Sequence, residues 1–127
     1  QVMEVPLSSS RGYTIPDPRP TTGGLYRVSV KVSHWLRKAF SSVSTTAGNT
    51  TFNLTLPTNG DVNNDNVIDI ADYTGLAFAF DSTSTDADWF VADANGLRPF
   101  DSDLNGDGLV DIADYTILAL HFDGVGD

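Results

Sequence analysis

The chain has two different patterns of apolar and polar residues. In the first, which covers residues 25–56, apolar and polar side chains alternate with the period of two that predicts β-strands. Strands are predicted over residues 25–32 and 52–56, with a third over 39–44 and a hairpin turn over 47–50. Because three or four strands cannot close a sandwich, their apolar face needs a cover. That face carries Val28, Val30, Val32, Phe52, Leu54 and Leu56.

The second pattern is a repeat. Residues 61–80 and 103–122 share twelve identities in twenty, and the two copies lie 42 residues apart. Apolar residues then follow at steps of three and four, which predicts one amphipathic helix in each copy. Turn-forming residues, 57–60 and 98–102, precede the copies, so no helix is predicted to enter them. The apolar residues are Ile70, Tyr73, Ala77 and Phe80 in the first copy and Ile112, Tyr115, Ala119 and Phe122 in the second.

Each copy begins with a twelve-residue ladder of oxygen-bearing side chains. Asp stands at positions 1, 5, 9 and 12 and Asn at position 3 of both ladders. Ca²⁺ takes roughly six to eight oxygen ligands, and a loop of this kind supplies them from positions 1, 3, 5, 7, 9 and 12, using the backbone carbonyl at position 7. We therefore predict two Ca²⁺ ions. Their ligands are Asp61, Asn63, Asp65, Val67, Asp69 and Asp72 in the first loop and Asp103, Asn105, Asp107, Leu109, Asp111 and Asp114 in the second.

Two further loop positions agree with this interpretation. Position 6 must turn sharply and favours a residue that accepts positive φ, as Gly108 does readily and Asn66 at small cost. Position 8 is apolar in both loops, and we expect Ile68 and Val110 to point into a core.

Charge separates the same two halves of the chain. Residues 1–60 carry six basic and two acidic residues, whereas residues 61–127 carry one basic and fifteen acidic residues, within a net charge of −10. This acidity argues against nucleic acid as a partner, and two Ca²⁺ ions would relieve the repulsion where the carboxylates crowd. Because calcium loops are most useful where calcium is abundant, an extracellular or cell-surface location is expected. The basic residues of the first half, interpreted as a solvated face, are Arg11, Arg19, Arg27, Lys31, Arg37 and Lys38.

The duplicated calcium loop and helix, with Asp at position 12 and no entering helix, resembles a type I dockerin, the calcium-dependent docking module of cellulosomes and related extracellular assemblies. The resemblance covers residues 60–123. It implies two loop–helix units related by a pseudo-twofold axis, and a cohesin partner bound mainly through helix faces near loop positions 10 and 11. On this chain those positions are Ile70 with Ala71 and Ile112 with Ala113. Since these pairs are apolar, we expect an apolar partner contact, and the likeness of the repeats allows two orientations.

Residues 26–40 are similar to the last strands of the carboxypeptidase-regulatory-like, X-module-like β-sandwiches that often precede dockerins. The predicted fold class is therefore α+β: a small incomplete antiparallel β-sandwich followed by a dockerin-like pair of calcium loop–helix (F-hand) units. Three segments are predicted: a Pro- and Ser-rich arm over 1–24, the partial sandwich over 25–58 and the calcium module over 59–127.

The incomplete sandwich leaves two other functions open. One is a structural subunit of an extracellular fibre, in which the apolar segment 1–7 of one copy adds a donor strand to the sheet of the next. The other is a calcium-stiffened spacer of a larger secreted protein. Oligomeric state without a partner separates docking from fibre formation, since a docking module is expected to be a monomer.

No residue set points to catalysis. The carboxylates are used by the calcium ladders, and neither a Ser-His-Asp set nor a phosphate-binding loop is present in the sequence. Neither His34 nor His121 has a pattern that predicts a catalytic base. Asn49 and Asn53 stand in glycosylation sequons and are candidate glycosylation sites. The residues between the repeats include Trp89, Phe90 and Phe100, which are predicted to cap a small core.

Overall fold

The computed structural model describes residues 24–45 and 57–127. This part of the chain has an α+β fold with two short antiparallel strand pairs and three helices. No helix within it is long and apolar enough to cross a membrane. In chain order the elements are β1 (Gly24–Val30), β2 (His34–Trp35), β3 (Lys38–Thr45), β4 (Asn59–Asp61), α1 (Ile70–Phe78), α2 (Pro99–Ser102) and α3 (Ile112–Leu120).

Of the two strand pairs, one lies within the first half of the chain and the other joins the two halves. β1 pairs with β3, where Val28 lies opposite Phe40. This confirms a strand at both predicted places, but the strand predicted over 25–32 ends at Val30, so Val32 lies outside it. β2 pairs instead with β4, so that the segment after β1 contacts the start of the first predicted calcium loop. The predicted strand over 52–56, the turn over 47–50, the segment 1–7 and the two sequons lie outside the described residues.

α1 and α3 begin in the same way because their first residues are the same. Asp69 is the N-cap of α1, and its side chain accepts a hydrogen bond from the amide of Ala71 at 2.7 Å. Asp72 completes a capping box by accepting the amide of Asp69 at 2.8 Å. Asp111 and Asp114 make the same bonds at the start of α3, at 2.7 and 2.9 Å.

The apolar stripes of α1 and α3 face outwards. Ile70 and Ile112, placed on the apolar stripes, are 65% and 63% exposed, and the other residues of both stripes are also exposed. The position-12 carboxylate points inwards in each unit, so the residue four positions later faces the core. These core residues are Leu76 and Leu118, both about 1% exposed. The loop geometry therefore sets the rotation of each helix.

A single core lies between the two loop–helix units. It includes the position-8 residues Ile68 and Val110, as predicted, and both are fully buried. It also takes in Leu36, which lies directly after β2, so part of the apolar surface of the first half is covered within the chain. The complete set of buried apolar residues in the described part is Leu36, Val62, Ile68, Leu76, Ala79, Trp89, Leu104, Val110 and Leu118.

Two smaller predictions need correction. The residues before the second loop, predicted as a turn, form the one-turn helix α2, because Pro99 suits a first helical position and Asp101 accepts the amide of Arg98 at 3.1 Å. Of the three aromatic residues between the repeats, Trp89 is buried in the core as predicted, but Phe90 is 66% exposed. Phe90 packs its ring against Phe100 at the surface, with ring centroids 5.3 Å apart.

Candidate calcium loops and docking face

Loop 1 (residues 61–72) and loop 2 (residues 103–114) are built from matching hydrogen bonds. In loop 1, Asn63 accepts the amide of Asp65 at 2.8 Å through its side chain, and Asp65 accepts the amide of Val67 at 2.9 Å. In loop 2 the side chains of Asn105 and Asp107 accept the corresponding amides, at 2.8 and 3.0 Å. These bonds curl the backbone at positions 3 to 7. The repeated sequence therefore gives a repeated loop geometry.

Position 6 takes the backbone conformation that the sequence predicts. Asn66 has φ of 78° and Gly108 has φ of 85°, both in the left-handed region. Asn tolerates this region better than most residues with a Cβ. Its side chain is also used, since Oδ1 of Asn66 accepts the amide of Arg37 at 2.6 Å. Loop 1 is thus tied directly to the segment that follows β2.

The last carboxylate of each loop is buried among other acidic groups. Asp72 and Asp114 are both fully buried, and each accepts backbone amides from its own loop. Burial raises the pKa of both carboxyl groups above the ordinary value, and the negative charges of Asp61 and Asp103 respectively raise them further. The raised pKa means that the surroundings stabilise the negative charge of each buried carboxylate poorly. A cation nearby would stabilise this charged form.

The first carboxylate of loop 1 gives the most direct test of whether a cation fits. Asp61 is fully buried, and its Oδ1 has no hydrogen-bond partner among the residues that the structure describes. An unpaired buried carboxylate oxygen is costly, and a bound Ca²⁺ would satisfy it. The other oxygen, Oδ2, accepts the amide of Asn66 at 3.0 Å and forms an ion pair with Lys31. Oxygen chemistry and burial at this position fit a hard divalent cation.

Acidic side chains alone do not assemble a metal site in the described part of the chain, where no three of them meet as a ligand cluster. The predicted ligand set is broader than this, because it includes the amide oxygens of Asn63 and Asn105 and the backbone carbonyls at position 7. Ca²⁺ accepts all of these oxygen types. The assignment of the twelve ligands therefore stays a prediction, supported by the loop backbone and by the unpaired oxygen of Asp61.

Each loop is held by the segment that follows the other unit's helix. After α1, the amides of Asp81 and Ser84 donate to the carbonyls of Val110 and Gly108 in loop 2, at 2.9 and 2.8 Å. After α3, the amides of Asp123 and Gly126 donate to the carbonyls of Ile68 and Asn66 in loop 1, at 2.9 and 3.0 Å. This exchange couples the two units. Loss of order in one loop removes backbone partners from the other unit.

The four residues predicted to contact a partner are all exposed and lie on the outer side of α1 and α3. Tyr73 and Tyr115 bring the two helices together there, with ring centroids 5.8 Å apart in an edge-to-face arrangement. The result is an apolar surface contributed by both units, which we call the shared face. It consists of Ile70, Ala71, Tyr73, Ile112, Ala113 and Tyr115.

Sequence reasoning missed the role of the segment between β1 and β3. Lys31 was interpreted as part of a solvated face, but its side chain is mostly buried and pairs with Asp61. The same segment supplies Leu36 to the core, and His34 contacts the side chain of Asn59 at 2.9 Å. These contacts join residues about 25 to 30 positions apart, and neither alternation nor charge pattern identifies such pairs. The apolar pair Trp35 and Leu36, which lies between polar residues, was the only local signal.

No protein-family model matches the chain, and no curated protein is significantly similar to it. Four chains of solved structures are significantly similar, among them two from mutant cohesin–X–dockerin complexes. One is a C-terminal interface mutant of a type II cohesin–X–dockerin complex from Acetivibrio cellulolyticus, with 28% identity and a TM-score of 0.59 over 83% of this chain and 66% of that chain. The other is an N-terminal interface mutant of such a complex from the same organism, with 27% identity and a TM-score of 0.58 over 85% and 68%.

This likeness supports a module of the cohesin–dockerin kind that acts in protein–protein docking. The chain spans about two thirds of the length of the solved chains that it matches. Both structures are type II complexes, whereas the loop–helix motif resembles type I dockerins. The type of the module and its partner are therefore part of the proposal that follows.

Proposed function

We propose that this chain is a calcium-binding, non-catalytic docking module of an extracellular assembly, and that it binds a cohesin-like partner through the shared face. The observation that carries the proposal is the outward orientation of apolar residues at matching positions of α1 and α3. A water-soluble fold gains nothing from exposing them, and contiguous exposed apolar patches are typical of interaction sites.

The composition of the shared face suits an interface. Ile70 and Ile112 are the most exposed of its large side chains, while Tyr73 and Tyr115 are 40% and 37% exposed at its centre. Tyrosine is enriched among residues that contribute strongly to binding because its ring offers a large contact area with one polar atom. The shared face contains no charged residue. Recognition through it would depend on shape and apolar contact rather than on ion pairs.

Calcium would order the shared face because the loops lead directly into it. Position 9 of each loop is the helix N-cap, and positions 10 and 11 are the proposed contact residues. A loop fixed by Ca²⁺ therefore fixes the first turn of the helix and the contact pair on it. Calcium-dependent binding would in turn suit an extracellular or cell-surface protein.

Charge substitutions at the two alanines test the shared face. Binding to immobilised cohesin modules of types I and II is compared for the full chain, Ala71→Asp, Ala113→Asp and the double variant. If either unit can contact the partner, each single variant retains affinity within about threefold. The double variant places a charge in both contacts and is expected to lose more than about a hundredfold, roughly 2.7 kcal/mol.

Ala87→Asp is the matched control, because it introduces the same change at an exposed alanine between the two units. It should bind as the unchanged chain does. The proposal is contradicted if the double variant, with its fold verified by circular dichroism, binds a cohesin as tightly as the control. A single variant that loses all binding would show instead that only one unit makes the contact.

A further inference from the structure

Lys31 reaches loop 1 from the other half of the chain. It follows β1, and its side chain is only 19% exposed although lysine is usually solvated. The ammonium group donates to the carbonyl of Trp35 at 2.6 Å and forms the ion pair with Asp61. One backbone contact and one carboxylate contact hold it in place.

The first carboxylate of loop 2 has different partners. Oδ1 of Asp103 accepts the amides of Gly106 and Asp107 at 2.8 and 3.1 Å, and Oδ2 accepts the amide of Gly108 at 2.9 Å. No ion pair with Asp103 is found in residues 24–45 and 57–127. Both carboxylates accept the position-6 amide of their own loop. Asp61 has in addition a protein cation and one unpaired oxygen, whereas the other partners of Asp103 are neutral amides.

We propose that Lys31 is a tethered competitor of Ca²⁺ at loop 1, which lowers the calcium affinity of loop 1 below that of loop 2. The inference rests on the calcium binding put forward under the proposed function and adds an order of occupancy to it. Both loops offer four carboxylates, but one of those in loop 1 is already partly neutralised by an ammonium group. A divalent ion that approaches the same carboxylate meets a like charge that is tethered and mostly shielded from solvent.

Two consequences follow. Loop 2 fills first as calcium rises, and loop 1 fills only when Ca²⁺ overcomes the ion pair between Lys31 and Asp61. Because Lys31 also binds the carbonyl of Trp35 in β2, filling of loop 1 changes the contact between the calcium module and the first half of the chain. The first half of the chain thereby influences the calcium affinity of the module and does not only lie next to it.

A residue-resolved calcium titration of the full, isotopically labelled chain tests the proposal. The amides of Asn66 and Gly108 occupy position 6 of loop 1 and loop 2, so their resonances report the two loops separately. In the unchanged chain, Gly108 should reach half-saturation at a calcium concentration at least about tenfold below that of Asn66. Lys31→Met keeps the apolar stem and removes the charge, and it should lower the Asn66 midpoint by about tenfold while leaving the Gly108 midpoint within about twofold.

Two variants separate the specific effect of Lys31 from a general loss of charge. Lys31→Arg keeps a cation at the site, so its Asn66 midpoint should stay within about threefold of the unchanged chain. Lys38→Met removes a positive charge that pairs with Asp127 at the surface, and it should move neither midpoint by more than about twofold.

Several outcomes overturn the inference. It fails if loop 1 of the unchanged chain fills with or before loop 2, a result that needs no variant and no assumption about folding. It also fails if Lys31→Met leaves the gap between the midpoints unchanged or widens it, or if Lys38→Met narrows the gap equally. These results leave two-ion binding intact. Absence of calcium binding at either amide would overturn the proposed function together with this inference.

Discussion

Loop 1 and loop 2 have the same ladder of side chains and matching backbone hydrogen bonds, yet different parts of the chain surround them. Loop 1 is covered by the segment around Lys31 and Arg37 and by residues 123–126, whereas loop 2 is covered by residues 81–84. The duplicated sequence therefore specifies the local geometry of each loop. The surroundings of the two nearly identical loops differ because different segments of the chain lie beside each of them.

Removal of calcium should have the largest effect, because it acts on both loops at once. At a calcium concentration about a thousandfold above the dissociation constant, each ion would stabilise the folded state by roughly 4 kcal/mol. A chelator should therefore strongly reduce the helical circular dichroism signal and the melting temperature, and excess calcium should restore both. An unchanged signal and melting temperature after complete chelation would show that neither loop depends on calcium for its structure.

Truncation of the core leucines should come next and should affect the two units alike. Leu76→Ala and Leu118→Ala each remove a buried side chain at the same position of α1 and α3, and each should cost roughly 2–5 kcal/mol of unfolding free energy. The loss of unfolding free energy caused by Leu36→Ala should fall in the same range if the segment after β2 belongs to this core. Denaturant unfolding in saturating calcium measures all three variants.

Leu120→Ala is the control for this series, since the side chain is 76% exposed and should contribute less than about 0.5 kcal/mol. Should Leu36→Ala behave like this control, the segment after β2 would contribute little to the module. The stability of the module would then come from the two coupled loop–helix units alone.

A change of pH should have the smallest effect on the melting temperature, and the sign of this effect should depend on calcium. Burial raises the pKa of Asp72 and Asp114 in the folded state, so in the chelated protein the folded chain binds more protons than the unfolded chain between the two pKa values. That contribution to stability is present below the unfolded pKa and is lost as pH rises through the folded pKa. Melting of the chelated chain should therefore occur at a higher temperature near pH 4.5 than at pH 7.

With calcium present the order should reverse, because protons compete with Ca²⁺ for the same carboxylates. Asp93 and Asp127 act in the opposite direction, since hydrogen bonds from the amides of Leu97 and Ala39 lower their pKa, but both are solvent-exposed and their effect is screened. A chelated chain that melts at a lower temperature near pH 4.5 than at pH 7 would contradict the role assigned to the two buried carboxylates.

The sequence was sufficient to predict features that depend on neighbouring residues. The loop bends at Asn66 and Gly108, the burial of Ile68 and Val110 and the starts of both helices follow from local spacing and capping. The orientation of the helices was not predictable from apolar periodicity. The inward position-12 carboxylate of each unit instead turned the side of the helix that carries Leu76 or Leu118 towards the core.

Contacts between distant segments were also beyond the sequence pattern. The pairing of Lys31 with Asp61 and the insertion of Leu36 into the core depend on the pairing of β2 with β4. These strands have two and three residues, too few for an alternating pattern to identify them. For the same reason, the segment boundary predicted near residue 58 did not indicate which residues contact each other across it. The ligand set and the partner-binding residues stay predictions, while the exposure of Ile70, Ala71, Ile112 and Ala113 agrees with their proposed role.

The most direct test of the account is a calorimetric calcium titration of the chelated full chain beside Asp61→Ala and Asp103→Ala. Each variant removes the first predicted ligand of one loop. We expect two Ca²⁺ ions for the unchanged chain and one for each variant, with weaker binding at the remaining loop because each loop is held by the segment after the other unit's helix. Two ions bound to either variant, or fewer than two bound to the unchanged chain, would contradict it.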